Sequence, residues 1–515
     1  MKQTRWVLIV LLLMGAACSG TGNPYAEKLT TVDTSWAVTA DEGYEWAKVR
    51  GDNLPALNGS PEFLNYLTFL EEKLVEYGAV DMHRNSWMFD RWETTFDDSG
   101  WSLESDGTPV RVAHYAANSG NTGPDGITAE MVYYDHDNPP DDIAGKIVVI
   151  PTRPHPEPPY DERYIQGFTF NDYEWRANDD SYWELFERVP PEFSITFDIW
   201  WQLGQGLWRI AVDGGAAGHV IVYDMGFETT EGLFTFGVPP LHESPGVILS
   251  REDGAKVIED AKAGKAATLR LEATVQESEA FQTIAYLPGR DYGTPDDEQI
   301  LMINHTDGPS ITQDNGALGL LAIVKYFSNV PQEHRPRTLT VFLDGRHYYP
   351  GAERASADVS WPVRHPEALE PLVALMHIEH MGEMDYREVD GKLEAVGLAE
   401  QSYLWTRNNQ VLIDAAVTAA QEHGWERVQV SAPERPGING GLQQRWWGVA
   451  GRFHRRCDDC LDLPGFGLGG FLGLYWTTAS GIERFSKELF EAQAHTMTQL
   501  TGVLMTADLD EVRPQ

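Results

Sequence analysis

The spacing of hydrophobic and polar residues divides the chain into three regions. In the first, residues 19–105, one amphipathic helix is clear. Ser60 is suited to its N-cap, Pro61 to its first position and Gly78 to its end. Between them, apolar side chains recur at helical spacing, at Phe63, Leu67, Leu70, Leu74 and Tyr77. The pattern predicts a surface helix that packs on a neighbouring core.

The second region, residues 106–280, contains short apolar runs separated by Gly, Asp or Pro, which is typical of β-strands. The runs are VRVAHYA, AEMVYYD, GKIVVIP, GHVIVYD and GVILS. An insert at about residues 155–212 is dense in aromatic side chains. It predicts either a local core that orders a long loop or an apolar wall of a substrate cleft.

The third region, residues 281–515, alternates continuous apolar runs with helical patterns. The runs lie at Ile300–Asn304, Leu339–Leu343 and Leu372–Ile378, and the helical patterns at Asn315–Phe327 and Ile482–Met505. Apolar strands separated by helices predict an α/β fold, in which a mostly parallel sheet is covered by helices on both faces. In such sheets, ligands bind beyond the carboxyl ends of the strands.

Composition excludes some classes of partner. The 515 residues carry a formal charge of −39, from 39 Lys and Arg against 78 Asp and Glu. This acidic excess excludes nucleic acid and anionic lipid as the main electrostatic partner. With 42% hydrophobic and 23% charged residues, the composition is that of an ordinary folded protein.

The first residues predict export. Lys2 and Arg5 precede the apolar run Trp6–Met14, which is too short to span a bilayer and is typical of a secretory signal. Small residues directly before Cys18 resemble a bacterial lipoprotein cleavage site. We therefore interpret residues 1–18 as a lipoprotein-type signal peptide that is cleaved directly before Cys18, which becomes the lipidated first residue. We expect an exported protein anchored in the bacterial cell envelope (periplasm or cell surface) by that lipid alone. Plain secretion is the alternative.

Two further cysteines, Cys457 and Cys460, form a C-D-D-C motif. In an oxidising compartment, a local disulfide is the first interpretation. A zinc site would need two more ligands, and a thioredoxin-like redox motif would have to open a helix after a strand. Neither context is evident in the sequence.

Polar groups that bind metals follow three successive predicted strands. His305 and Asp307 come after the first run, with Asp314 directly before the next helix. His347 follows the second run, and Glu379 follows the third. Because the carboxyl ends of parallel strands meet at one edge of a sheet, these side chains predict a metal site there.

The segments NHTDG, TQDNGALGLLAIVKYF and RTLTVFLDGRHYYPGAERA resemble the signature segments of a family of zinc-dependent aminopeptidases. That family is related to bacterial leucyl aminopeptidase, plasma glutamate carboxypeptidase and glutaminyl cyclase. The order of β-like runs in residues 106–280 resembles the protease-associated domain, a small β-rich module often inserted in exported peptidases. The resemblance implies a three-layer αβα peptidase-like domain at 281–515. Residues 19–105 would supply a tether and a helical segment that packs on it.

Carried over residue by residue, the resemblance implies a zinc site, with one ion rather than the two of the family. His305 and Asp307 match a His-x-Asp motif, as metal ligand and as the carboxylate that orients it. Asp314 matches the carboxylate that bridges both metals. Glu379 stands where the family has Asp, and His347 replaces a Glu ligand while remaining a candidate ligand itself.

The same resemblance implies that two residues of the family's catalytic site are replaced in this chain. Arg346 replaces the Glu that acts as general base, and a guanidinium cannot accept a proton from water. Trp476 occupies the position of a late His ligand. If a metal is bound, the substitution Arg346→Glu is expected to increase hydrolysis of aminoacyl amides. His377 and His380 flank Glu379, and the alternation of a strand predicts that only one face of this segment points at the site.

Two functions therefore remain open at the level of sequence. The first is a single-zinc hydrolase of a peptide or another small molecule, with Asp307 and Arg346 at the catalytic centre and His305, Asp314 and Glu379 as ligands. The second is a catalytically inactive relative without metal, a binding module in which Arg346 clamps an anionic group of its ligand. A conventional peptidase is a third, weaker alternative.

Overall fold

The computed structural model describes residues 23–95, 98–153, 168–169, 205–234, 239–348, 359–400, 402–407, 409–425, 427–431, 463–470 and 477–513. The predicted signal with Cys18, the Cys457 and Cys460 pair, Trp476 and most of the aromatic insert lie outside these ranges. Within them, no helix has the length and apolar character that crossing a membrane requires.

The secondary structure alternates helices and strands along the chain. Helices α1 to α11 span, in order, Ala26–Thr30, Ala40–Gly51, Pro61–Glu76, Trp208–Asp213, Phe227–Thr230, Arg251–Lys262, Ala317–Ser328, Trp361–Arg364, Gln410–Glu422, Lys487–Thr506 and Leu509–Val512. Strands β1 to β19 span Val80–Glu93, Trp101–Ser105, Thr108–Val110, His114–Tyr115, Ile127–Tyr133, Ile147–Pro151, Phe168–Thr169, Gly218–Val222, Gly246–Leu249, Ala266–Leu271, Thr274–Leu287, Gln299–His305, Thr338–Asp344, Leu372–Ile378, Met384–Val389, Lys392–Ala399, Ser402–Thr406, Val428–Ser431 and Gly465–Gly470.

The predicted N-terminal helix is confirmed as α3. Ser60 is its N-cap, and the Ser60 hydroxyl accepts a hydrogen bond from the amide of Phe63 at 3.0 Å. Pro61 is its first residue, and the apolar stripe from Phe63 to Leu74 is buried. The helix thus packs on the core as its periodicity predicts.

The larger sheet has the order β1-β11-β13-β12-β14-β19-β17-β18-β7. Its centre is parallel, since β13, β12, β14 and β19 run in the same direction, while β1 and β11 form an antiparallel ribbon at one end. The three predicted apolar runs are the central strands β12, β13 and β14, almost wholly buried. The prediction of a mostly parallel core within an α/β fold is confirmed for these strands.

The two faces of these strands pack against different layers. Ile300 and Met302 of β12 join the core formed with α2, α3, α7, α9 and α10. Leu301 and Ile303 point the other way and join Trp361 of α8. Side chains alternate across a strand, so a continuous apolar run is what burial on both faces requires.

The last long helix starts later than predicted. The pattern from Ile482 predicts a single helix, whereas α10 begins at Lys487. Ser486 is its N-cap and accepts from the amide of Leu489 at 3.2 Å, and Ile482–Arg484 forms a separate 3₁₀ turn. A Ser that caps the helix competes with helical continuation, which explains the difference.

A second sheet lies in sequence between β1 and β11 and has the order β3-β2-β10-β5-β6-β8-β9-β4. Strands β5, β6, β8 and β9 are parallel, and four of the five predicted β-like runs form them. The sheet extends from Trp101 to Leu271, so it starts before residue 106 and ends before residue 280. Because β1 pairs with β11 along its length, this sheet is an insertion into the larger one.

The inserted segment contacts the carboxyl edge of the larger sheet. Leu233 pairs with Thr477 in an isolated β-bridge, and the rings of Phe234 and Tyr348 meet edge to face at 5.8 Å. Glu388, in the hairpin of β15 and β16, accepts hydrogen bonds from the amide of Gly226 at 2.7 Å and from the Thr229 hydroxyl at 2.8 Å. The insertion therefore forms one wall beside the strand ends.

Candidate metal centre

The carboxyl ends of β12, β13 and β14 bring the predicted side chains together. His305 is the last residue of β12, His347 lies three residues beyond β13, and Glu379 directly follows β14. His305 Nδ1 lies 2.9 Å from Glu379 Oε1, and His347 Nδ1 lies 2.5 Å from Asp314 Oδ2. The convergence that the sequence predicts at this edge is therefore present.

The loop that carries Asp314 approaches β14 closely because of a glycine. A Cβ atom at Gly316 would lie 1.9 Å from the carbonyl oxygen of Ile378, so only glycine allows this approach. Asp314 itself has φ +57°, a conformation that side-chain-bearing residues seldom adopt outside special sites. The backbone thus places the Asp314 carboxylate between the ends of β12 and β14.

The candidate ligands form two overlapping groups rather than the one set that the sequence predicts. His305, Asp314 and His347 offer atoms that all lie within 4.8 Å of one another, and so do Asp314, Glu379 and His380. Asp314 belongs to both groups. His347, which the sequence marks only as a candidate, is thus placed with His305 and Asp314, while Glu379 lies beside them.

Glu379 carries an oxygen suited to a cation. Its side chain is fully buried, and Oε1 lies 2.9 Å from both His305 Nδ1 and His377 Nε2. Oε2 is buried without a hydrogen-bond partner. Burial raises the pKa of Glu379, but His377 and His305 outweigh it and hold the pKa well below its usual range. An ionised buried carboxylate with an unpaired oxygen fits a site that holds a positive ion.

His380 lies beside Asp314 but is poorly suited to be a ligand. The amide of Gly470 donates to His380 Nδ1 at 3.1 Å, so the neutral ring carries its proton on Nε2. Nε2 lies 3.9 Å from Asp314 Oδ1. A protonated nitrogen does not coordinate a metal, so His380 presents a hydrogen-bond donor to the site. For this reason the group of His305, Asp314 and His347 is the better candidate metal position.

Both histidines that flank Glu379 reach the site, although strand alternation predicts only one. His377 is in β14 and contacts Glu379, whereas His380 lies beyond the strand at φ +50°. The left-handed residue turns the chain after β14, so the alternation of the strand no longer applies. Alternation therefore accounts for His377, which lies on the same face as Glu379, but not for His380.

Asp307 orients the loop after β13. Its Oδ1 accepts from the amide of His347 at 3.0 Å, and its Oδ2 accepts from the amide of Tyr348 at 2.7 Å. Burial and the neighbouring Asp314 raise the pKa of Asp307 to about 6. The sequence predicts that Asp307 orients His305, whereas these two hydrogen bonds fix the backbone that carries His347.

Arg346 forms a buried ion pair that the sequence analysis does not predict. Its guanidinium donates to both oxygens of Asp344, with Nε at 2.9 Å from Oδ1 and Nη2 at 2.8 Å from Oδ2. Arg346 is 1% exposed, and Gln282 also donates to Asp344 Oδ1 at 2.9 Å. A glutamate at position 346 would meet the Asp344 carboxylate, so the expected gain of hydrolysis from Arg346→Glu is replaced by an expected loss of stability.

A second buried carboxylate lies next to the loop before Asp314. The Thr312 hydroxyl donates to Glu383 Oε2, and Glu383 is 1% exposed. Burial raises the pKa of Glu383 from 4.5 to about 7. In the unfolded chain this carboxyl keeps its ordinary pKa of 4.5. Between pH 4.5 and about 7 the unfolded state therefore loses a proton that the folded state keeps, and the free energy of unfolding falls as the pH rises.

We therefore expect Glu383→Gln to stabilise the metal-free protein at about pH 8. The free energy of unfolding of the variant minus that of the wild type should be larger at about pH 8 than at about pH 4, by up to about 3 kcal/mol. Urea unfolding of both proteins across this range measures the effect. Glu72→Gln, at an exposed position of α3, is the matched control and should follow the wild type at every pH. A wild-type-like pH dependence of Glu383→Gln would contradict the prediction.

No protein-family model and no curated protein sequence matches the chain. Solved structures do resemble it. A peptidase M28 precursor from Shewanella amazonensis has a TM-score of 0.60 at 16% identity, over 95% of this chain and 97% of that chain. An aminopeptidase from Aneurinibacillus sp. strain AM-1 has a TM-score of 0.55 at 14% identity, over 95% and 97%. The Bacillus subtilis zinc aminopeptidase has a TM-score of 0.55 at 14% identity, over 93% and 98%.

The chain has a peptidase-like fold. The similarity covers nearly the full length of both chains in each comparison, so it includes the inserted segment as well as the larger sheet. At these levels of identity the resemblance establishes the scaffold.

Proposed function

We propose that the protein is an exported, metal-dependent hydrolase of peptides or related amides that uses a single zinc ion. The observation that supports this proposal is the compact group of His305, Asp314 and His347 at the carboxyl edge of a peptidase-like sheet. Two imidazole nitrogens and one carboxylate oxygen form a ligand set that zinc favours in catalytic sites. Glu379, with its unpaired buried oxygen, lies beside this group.

A zinc ion at this position would polarise a carbonyl group and lower the pKa of a bound water. The chain's own residues supply orientation and hydrogen bonds. Asp307 fixes the backbone of His347, and His380 presents Nε2–H as a donor near Asp314. Glu379 offers Oε2 as a hydrogen-bond acceptor. Arg346 is paired with Asp344, and we do not assign it the role of a general base in this proposal.

We assign the larger sheet and its helices to a three-layer αβα peptidase-like domain, and the inserted sheet to a protease-associated domain. The insertion between the paired strands β1 and β11 supports the second assignment. Cleavage of the signal peptide directly before Cys18 and a lipid on Cys18 would place the protein in the cell envelope. Peptides with a free amino terminus are the proposed substrates, in keeping with the aminopeptidases that share the fold.

The binding module without metal is the alternative, and it relies on Arg346 as an anion clamp. The bidentate pair with Asp344 already engages Nε and Nη2 of the guanidinium. A neutralised guanidinium attracts an anionic ligand less strongly than a lone one. The geometry therefore favours the hydrolase.

Hydrolysis of aminoacyl p-nitroanilides by the zinc-loaded protein tests the proposal. We expect turnover of substrates with a free amino terminus, loss of turnover when a chelator removes the metal, and recovery when zinc is restored. N-acetylated versions of the same substrates serve as controls and are expected to react more slowly. Failure of the zinc-loaded protein to hydrolyse any of these amides would favour the binding module.

A further inference from the structure

Arg50 is a fully buried arginine of helix α2 that reaches the candidate metal centre from the N-terminal region. Its guanidinium donates to three backbone carbonyls. Nη1 lies 3.2 Å from the oxygen of Thr306, Nε lies 3.2 Å from the oxygen of Ser310, and Nη2 donates to the oxygen of Gln313. The ring of Tyr66 lies 5.0 Å from the guanidinium carbon. One side chain thus holds three points of a single loop.

That loop is the connection between two of the proposed ligands. Thr306 directly follows His305, and Gln313 directly precedes Asp314. Arg50 therefore fixes both ends and the middle of the segment that sets the separation of the two side chains. Because Asp314 has a left-handed backbone conformation, this loop needs external contacts to hold it.

Neighbouring residues of the same N-terminal region support the clamp. Ala56 and Gly308 exchange backbone hydrogen bonds of 3.0 and 2.8 Å. A Cβ atom at Gly308 would lie 3.0 Å from Arg50 Nη2 and 2.8 Å from Gln313 Cγ, so the glycine makes room for the guanidinium. Asn58 donates to the carbonyl of Gly345 in the loop that carries His347. The N-terminal region thus holds both loops that bear ligands.

Burying a guanidinium is costly unless hydrogen bonds compensate it, and an apolar side chain would fill the same space at lower cost. The planar fork of Arg is suited to donate to several acceptors at once, which a single ammonium group does less well. We propose that Arg50 is a positioning residue of the metal centre, which sets the distance between His305 and Asp314 for the ion. This inference rests on the proposed function, because it takes zinc as the occupant.

Zinc affinity, measured by competition with a chromophoric chelator, tests the inference without an activity assay. Removing a residue that orients metal ligands typically costs 10–100-fold in affinity. We expect Arg50→Met to weaken zinc binding by about 10–100-fold and to change the visible absorption spectrum of the cobalt-substituted protein. Arg50→Lys keeps the charge but loses the fork, so an intermediate effect is expected.

Arg335 provides the matched control. It is a buried arginine that donates to the carbonyls of Pro288 at 2.8 Å and Phe327 at 3.1 Å, away from the strand ends that bear ligands. Arg335→Met should lower stability as Arg50→Met does but leave zinc affinity and the cobalt spectrum unchanged. If Arg50→Met does not fold, Arg50→Lys against Arg335→Lys carries the test.

Three outcomes distinguish the claims. Weaker zinc binding by the Arg50 variant, with wild-type affinity of the Arg335 variant, supports the positioning role. Wild-type affinity and an unchanged cobalt spectrum of the Arg50 variant, in a wild-type background that does bind zinc, overturn this inference alone. A wild-type protein that binds no zinc overturns the proposed function and this inference with it.

Discussion

Replacement of His305 by Ala is expected to lower zinc affinity by at least about 100-fold and to abolish zinc-dependent hydrolysis. His305 is buried at the end of β12 and lies in the group with Asp314 and His347. Alanine removes one of the two imidazole nitrogens that this group offers to a metal. Competition with a chelator measures the affinity, and p-nitroanilide hydrolysis measures the activity.

His423→Ala is the matched control for this experiment. His423 directly follows α9, where it hydrogen-bonds the side chain of Gln499, and it belongs to neither ligand group. The control should bind zinc as the wild type does. If His305→Ala and His423→Ala bind zinc equally well, the metal is held elsewhere and the assignment of His305 is wrong.

Arg346→Met is expected to lower the free energy of unfolding of the metal-free protein by about 3–5 kcal/mol, because it leaves the buried Asp344 carboxylate without its cation. The double variant Asp344→Asn/Arg346→Met should recover much of this loss, since the uncompensated charge is then gone. Urea unfolding of the wild type, both single variants and the double variant gives the coupling energy. Arg346→Glu should be less stable still, because two carboxylates would then face each other.

Arg290 supplies an exposed pair for comparison. Its guanidinium lies 2.8 Å from Asp291, and its side chain is 59% exposed. Exposed ion pairs contribute about 0–1 kcal/mol, so Arg290→Met should have little effect. A loss from Arg346→Met as small as that of Arg290→Met would show that the Asp344 pair is absent in solution.

The central strands and the edge where the candidate ligands meet could be predicted from the sequence for a clear physical reason. Strands β12, β13 and β14 are buried on both faces, so each is a continuous apolar run that the sequence displays directly. The carboxyl ends of parallel strands share an edge, which places His305, Asp314 and Glu379 together without further information.

The partners of the site residues could not be predicted, because they depend on how distant segments pack. The sequence displays Arg346 as a departure from a family pattern, whereas its pairing with Asp344 depends on the turn after β13. Asp344, at the strand end two residues before Arg346, is the local hint of this pair in the sequence. The proton position of His380 depends on Gly470, and the role of Arg50 depends on packing of α2 against a loop some 260 residues away in sequence.

Long amphipathic strands were also missed. Strand β1 spans Val80–Glu93 but contains no continuous apolar run, because its side chains alternate between exposed and covered positions. It is defined by pairing with β11, a contact between residues nearly two hundred positions apart. Non-local pairing of this kind leaves little trace in local composition.

The number of zinc ions bound per chain tests the central claim most directly. Metal-free protein is loaded with excess zinc, freed of unbound metal by gel filtration and analysed for zinc and protein. We expect about one ion per chain in the wild type and loss of that ion in both His305→Ala and His347→Ala. Two ions per chain, or none, would contradict the single centre formed by His305, Asp314 and His347.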